Sequence, residues 1–127
     1  MGMKFKNKSF AVGRLKTGMM NKTESDYAMY LESLKAAGSV AWYKFEGLKL
    51  RLADNTFYSP DFFVMLADGT LEVHEVKGFW QDDARVKIKV AADMYPFRFC
   101  AIKAVAKKHG GGWSVEEFWP SFYENGF

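Results

Sequence analysis

The sequence contains a single cysteine, Cys100, so no disulfide can form within the chain and a reducing compartment suits it. It has only three prolines: Pro96 is expected to end a helix and Pro120 to limit one, while Pro60 falls within an expected strand. No apolar run approaches the ~18 residues needed to span a bilayer. The lysines of MGMKFKNKSF are followed by no apolar stretch, which argues against a secretory signal. A cytoplasmic location is expected on these grounds. Internal repeats and low-complexity linkers are missing too. Acidic residues are absent from Met1 to Thr23, where six basic residues stand: Lys4, Lys6, Lys8, Arg14, Lys16 and Lys22. A one-signed arm attracts polyanions, although a solvated tail has the same composition.

What is present suffices for one core. The chain has 127 residues, of which 49% are hydrophobic and 17% aromatic, with a net charge of +3. We divide it into a basic arm over residues 1–22 and a single folded domain over 23–127. Thr23 is expected to cap a helix over Glu24 to Ala37, with Glu24 and Asp26 in its first turn and Gly38 as its stop. Val40 to Leu52 reads as one bent strand or two short ones, and Asp54-Asn55-Thr56 as a turn. Strands are expected over Phe57 to Leu66 and Thr70 to Lys77, and a second helix over Gln81 to Tyr95, with Ala84, Ile88, Ala91 and Tyr95 on its apolar line. A fourth strand should cover Arg98 to Val105. Ser114 to Glu117 has the form of a capping box for a last short helix. The predicted order is α-β-β-β-α-β, an α/β (α+β) fold with a mixed sheet and a helix on each face.

The hairpin PDFFVMLADGTLEVHEVKG carries charges that a sheet interior rarely holds. A two-residue loop at Asp68-Gly69 would set Asp61 against Val76. A three-residue loop, Ala67-Asp68-Gly69, with glycine in the left-handed conformation, sets Asp61 against Glu75 and Ser59 against Lys77. It also gathers Phe63, Met65, Leu71 and Val73 on one apolar face, and is the register expected. Two carboxylates then lie about 5 Å apart at Cβ and repel one another. A divalent cation removes that repulsion: Mg²⁺ takes oxygen ligands, commonly one or two carboxylates with a substrate phosphate. Lys77, two residues past Glu75, emerges on the same face and can contact a phosphate oxygen or a water. The plainer alternative is a salt bridge between Glu75 and Lys77, with Asp61 capping a turn.

Pro60-Asp61 followed by Glu75-Val76-Lys77 resembles the signature of the PD-(D/E)xK nuclease superfamily, whose core has the same α-β-β-β-α-β order. The stretches TFYSPDFFVMLADG, HEVKGFW and DDARVKIKVAA look like a group of small phage and prophage proteins within it, related to junction-resolving and recombination endonucleases. The resemblance implies a restriction-endonuclease-like core. It implies Asp61, Glu75 and the Val76 carbonyl as metal ligands, Lys77 as the catalytic lysine, and an acid from the first helix. Glu24 is the candidate for that acid and Glu32 the runner-up. The implied cofactor is Mg²⁺, with Mn²⁺ as a substitute. The implied activity is endonucleolytic hydrolysis of DNA, branched or junction DNA included, in the bacterial cytoplasm, leaving 5′ phosphates; a homodimer would suit paired cuts. Arg85, Lys87 and Lys89, on the helix after the motif, and Lys22 are the expected phosphate contacts. A non-catalytic DNA-binding or assembly protein, or a nuclease subunit that needs a partner, are the alternatives. His74, Cys100 and His109 are too scattered to suggest a zinc site. His74 should face away from Glu75 and Cys100 should lie in the core. Phe79-Trp80 could stack on bases or pack. Trp113, Phe118, Trp119, Phe122 and Tyr123 form an aromatic tail that should pack on the core or meet a partner.

Overall fold

The computed structural model describes residues 18–78 and 82–120, with the backbone alone at Asp82 and Asp83. Nearly all of the basic arm, Phe79-Trp80, and Phe122 and Tyr123 therefore lie outside the described residues. Helix α1 runs Lys22–Ala36. Its N-cap is Asn21 rather than Thr23. The Asn21 side chain accepts from the Glu24 amide at 2.8 Å, and Glu24 Oε1 accepts from the Asn21 amide at 2.9 Å. This reciprocal box satisfies two donors at once, which a Thr23 cap could not do with Glu24 only one residue away. Gly38, at φ 90°, ends the helix as expected.

A five-stranded sheet has the order β1-β4-β5-β6-β7, from β1 Val40–Phe45, β4 Phe62–Leu66, β5 Leu71–Val76, β6 Arg98–Ala104 and β7 Trp113–Phe118. Strands β2 Leu50–Ala53 and β3 Thr56–Tyr58 form a separate two-stranded hairpin. Helix α2, Asp82–Met94, makes the crossover between β5 and β6, which are parallel; the other pairings are antiparallel. Alternation along the strands gives each helix its own core. Tyr27 and Leu31 of α1 pack with Phe62, Val64, Val76, Cys100 and Ile102. Ile88, Ala91 and Ala92 of α2 pack with Val73, Phe99 and Ala101 on the other face, together with Leu50 and Tyr58 of the hairpin. The mixed sheet with a helix on each face is thus as expected.

Two elements differ from expectation. Phe57 to Leu66 is not one strand: Ser59-Pro60-Asp61 interrupts it, because Pro60 has no N–H to give a ladder. Ser59 consequently does not pair with Lys77. Ser114 to Glu117 is not a helix but lies in the edge strand β7, where Ala101 pairs with Glu116 and Cys100 with Glu117. The open edge of β6 offers a full ladder, which outweighs a four-residue capping signal. The three-residue loop is present: Phe62 pairs with His74 and Met65 with Leu71, and Gly69 has φ 91°.

Candidate active site

The charged groups meet at the carboxyl end of β5. Pro60 is fully buried and the Asp61 carbonyl accepts from Glu46 N at 2.7 Å, which fixes Asp61 at the start of β4. The ladder proper stops at Phe62 and His74. Beyond it the Asp61 side chain continues the connection, Oδ2 accepting from the Val76 amide at 2.8 Å. Glu75 is 6% exposed. Its Oε1 accepts from the Tyr58 hydroxyl at 2.9 Å, and its Oε2 lies 3.0 Å from Lys77 Nζ. Lys77 is therefore on the face of Glu75, as alternation requires.

Of the plainer alternative, the Glu75–Lys77 pair is formed, but Asp61 caps no turn: its carboxylate accepts across the strands from Val76. The energetics of these groups, however, are not those of a structural ion pair. Burial, and then the charge of Glu75, push the Asp61 carboxyl up to about 8, against the Val76 hydrogen bond; the charge of Glu24 adds to the rise. Burial lowers the Lys77 ammonium, but Glu75, Asp61 and Glu24 outweigh it and the net shift is upward. One lysine thus stands among three acids. Such a site is short of positive charge, and holding it ionised opposes folding.

The two helix acids differ in position, and each already accepts one hydrogen bond, Glu24 in the capping box. Glu24, at the start of α1, acts electrostatically on both Asp61 and Lys77. Glu32 is occupied elsewhere, accepting from the Tyr43 hydroxyl at 2.7 Å. Of the expected phosphate contacts, Arg85 makes a two-pronged pair with Glu116 (2.9 and 3.2 Å), Lys87 donates to the Phe57 carbonyl at 3.1 Å, and Lys22 pairs with Asp26 at 2.9 Å. Lys89 is exposed, and its charge helps hold the Glu116 carboxyl below its usual range, after the Arg85 hydrogen bond. Arg85 and Lys22 are thus ion-paired and Lys87 is held on a carbonyl, so these cations are not one bare stripe.

Sequence reasoning missed Tyr58. In an uninterrupted strand over 57–66, residue 58 faces away from Asp61 and Glu75. The break at Ser59-Pro60 reverses that parity and turns the ring into the site. Sequence spacing also failed to foresee that His74 and Cys100 meet. With Glu72 their ligand atoms lie within 4.8 Å of one another, buried under α1. The Tyr27 hydroxyl lies 2.7 Å from His74 Nδ1, and His74 Nε2 lies 2.8 Å from Glu72 Oε1. Glu72 Oε2 lies 3.2 Å from Arg98, which also pairs with Glu117. Burial forces the Tyr27 phenol far up, so it stays protonated where it shares a hydrogen bond with Nδ1, and Nε2 shares one with Glu72. Arg98 already supplies the cation that Glu72 needs. We read this cluster as a structural chain crossing from α1 to β7, in which the buried Arg98 Nε has no partner among the described residues. His109 is exposed in the short turn before the glycine loop. Trp113 packs edge-on against Tyr27 at 5.0 Å, Phe118 is buried and Trp119 is 49% exposed.

A cavity of about 840 Å³ lies at the opposite end of β5, lined by residues that include Leu71, Tyr95, Phe97, Arg98 and Trp119. It includes none of Asp61, Glu75 or Lys77. Among the described residues no helix is long and apolar enough to cross a membrane. No protein-family model, curated protein or solved structure matches the chain.

Proposed function

We propose that the chain is a divalent-cation-dependent endodeoxyribonuclease of the PD-(D/E)xK type. One observation carries the reading: Asp61 and Glu75 are brought together in a partly buried site where their charge exceeds what Lys77 compensates. The excess negative charge, unlike the hydrogen bonds these groups accept, adds nothing to the stability of the fold. The donor set is all oxygen and hard, and carboxylates retain lone pairs after accepting from Val76, Tyr58 and Lys77. It fits Mg²⁺ or Mn²⁺, held by Asp61 and Glu75, with the Val76 carbonyl and Glu24 as further ligands by resemblance. The element order α1-β1-β4-β5-α2-β6 supports the same reading, with the β2–β3 hairpin inserted and β7 appended.

The cation, when bound, supplies charge neutralisation and Lewis acidity at a phosphoryl oxygen. The chain supplies the rest. Lys77, kept charged by its acidic neighbours, is a donor to a phosphate oxygen or to an attacking water at the mouth of the site. Asp61, tied to the backbone through Val76, holds its oxygen fixed relative to Glu75. Lys89, Arg85 and Lys22 serve as phosphate contacts, the two paired ones by exchanging an exposed partner for a phosphate, since such pairs are worth only about 0–1 kcal/mol, whereas Lys87 is held on the Phe57 carbonyl. The choice of branched DNA, the 5′-phosphate products and a homodimer rest on the resemblance.

The test is cleavage of a labelled four-way junction and a matched linear duplex with Mg²⁺ or EDTA. Lys77→Ala should reduce metal-dependent cleavage by about 10²–10⁴-fold while junction binding persists. Binding without cleavage, equal in wild type and mutant, would instead establish a non-catalytic DNA-binding protein or a missing partner.

A further inference from the structure

The five-stranded sheet closes without the β2–β3 hairpin, because β1 pairs directly with β4. The hairpin is nevertheless held firmly. Leu50 and Tyr58 enter the core under α2. Lys87 Nζ donates to the Phe57 carbonyl at 3.1 Å, and the Tyr95 hydroxyl donates to the Arg51 carbonyl at 2.6 Å. Lys49 Nζ also lies 4.8 Å over the Phe57 ring. Each strand of the hairpin thus has one backbone carbonyl anchored by a side chain from α2 or the residue just after it. The consequence of this anchoring is a single polar contact with the charged site, Tyr58 to Glu75.

We propose that the hairpin is a positioning element of the cation site and that Tyr58 sets the orientation of Glu75 for ligation; this rests on reading Asp61 and Glu75 as ligands. Glu75 has two partners of different kind. Lys77 is a cation, and a bound divalent ion competes with it for the same carboxylate. Tyr58 is neutral. Its hydroxyl donates to Glu75 Oε1 at 2.9 Å. A phenol can keep its hydrogen bond to one lone pair while the carboxylate ligates through another. Partners of this kind, which do not touch the metal, change affinity or activity by about 10–100-fold when removed. Tyr58 is therefore a positioning residue: it acts through Glu75.

The experiment is Mn²⁺ binding to the full chain by calorimetry, without DNA, so that phosphate contacts do not enter. Wild type should bind. Tyr58→Phe, which keeps the ring, should bind about 10–100-fold more weakly, with a melting temperature in EDTA within a few degrees of wild type. At saturating Mn²⁺ its kcat on DNA should recover, with KM for DNA unchanged. Lys87→Met, at an exposed position, releases the strand beside Tyr58 and should lower Mn²⁺ affinity by a smaller factor. If Tyr58→Phe folds and binds Mn²⁺ as tightly as wild type, the inference is overturned and the reading of Asp61 and Glu75 stands. If wild type itself binds no Mn²⁺, that reading falls and the inference with it. If Tyr58→Phe does not fold, unchanged Mn²⁺ affinity in Lys87→Met overturns the inference.

Discussion

Asp61 is where stability and chemistry oppose each other. Its carboxyl is displaced from an ordinary 3.8 to about 8, by burial first and by Glu75 second. The folded state therefore binds a proton that the unfolded state has released over this interval. Stability contributed by the protonated group is complete below about pH 4 and is lost as pH rises through 8. Asp61→Asn removes the charge but leaves an oxygen to accept from Val76. We expect it to stabilise the cation-free protein at pH 8.5 by about 1–3 kcal/mol, one pKa unit being about 1.4 kcal/mol. At pH 4 the difference should vanish. Thermal unfolding in EDTA at the two pH values reads this directly, and an equal effect at both would show that the charge is not the cause. With Mn²⁺ at about 100 times its dissociation constant, wild type should regain about 2.7 kcal/mol and Asp61→Asn nothing.

At the scale of elements, one contact sets where α1 begins and another ties it to the sheet. Asn21 caps it, and Asn21→Ala should cost about 1 kcal/mol in urea unfolding. Tyr27 reaches His74 across the core, and Tyr27→Phe should cost about 1–3 kcal/mol, because it leaves His74 Nδ1 buried without its partner. If Tyr27→Phe proved neutral, the buried chain from Tyr27 to Arg98 would not be what holds α1 in place. Most of this level was legible in the sequence. Alternation and the glycine at position 69 gave the hairpin register, first-turn acids and a glycine stop gave α1, and helical spacing gave α2 and its buried face. What was not legible depended on tertiary alternatives. The capping signal at Ser114 lost to an open strand edge. Proline 60 was read as part of a motif rather than as a break, although a missing N–H is the more general property. That single misreading hid Tyr58, since side-chain parity is lost at any interruption of a strand. The acids and Lys77 were found because their parity is set within β5, which is unbroken; Asp61 was found because it adjoins β4. The His74–Cys100 meeting required the parallel register of β5 on β6, which spans the whole crossover and leaves no local trace.

For the molecule as a whole, the net charge of +3 says less than where internal anions sit. Glu116 lies between two of the cations expected to meet phosphate: it pairs with Arg85 at 2.9 Å, and Lys89 acts on it through its charge. The pair is exposed, Arg85 to 33% and Glu116 to 50%, so its strength is modest and solvent-screened. A polyanion approaching α2 would compete with Glu116 for Arg85 and be repelled by it at once. Removing the anion should therefore strengthen binding through this face without altering the acids at the end of β5. Glu116→Gln is expected to tighten binding of a junction or duplex by about 2–10-fold at low salt and to steepen the salt dependence by about one phosphate contact, a slope change of about 0.9 in log–log terms. Lys89→Ala should do the reverse, with a shallower slope. Measured as binding in EDTA across a salt series, both effects are independent of cleavage. Were Glu116→Gln and Lys89→Ala both to leave affinity and slope unchanged, α2 would not face the nucleic acid, and Lys77 with the basic arm would have to supply the electrostatic footprint instead.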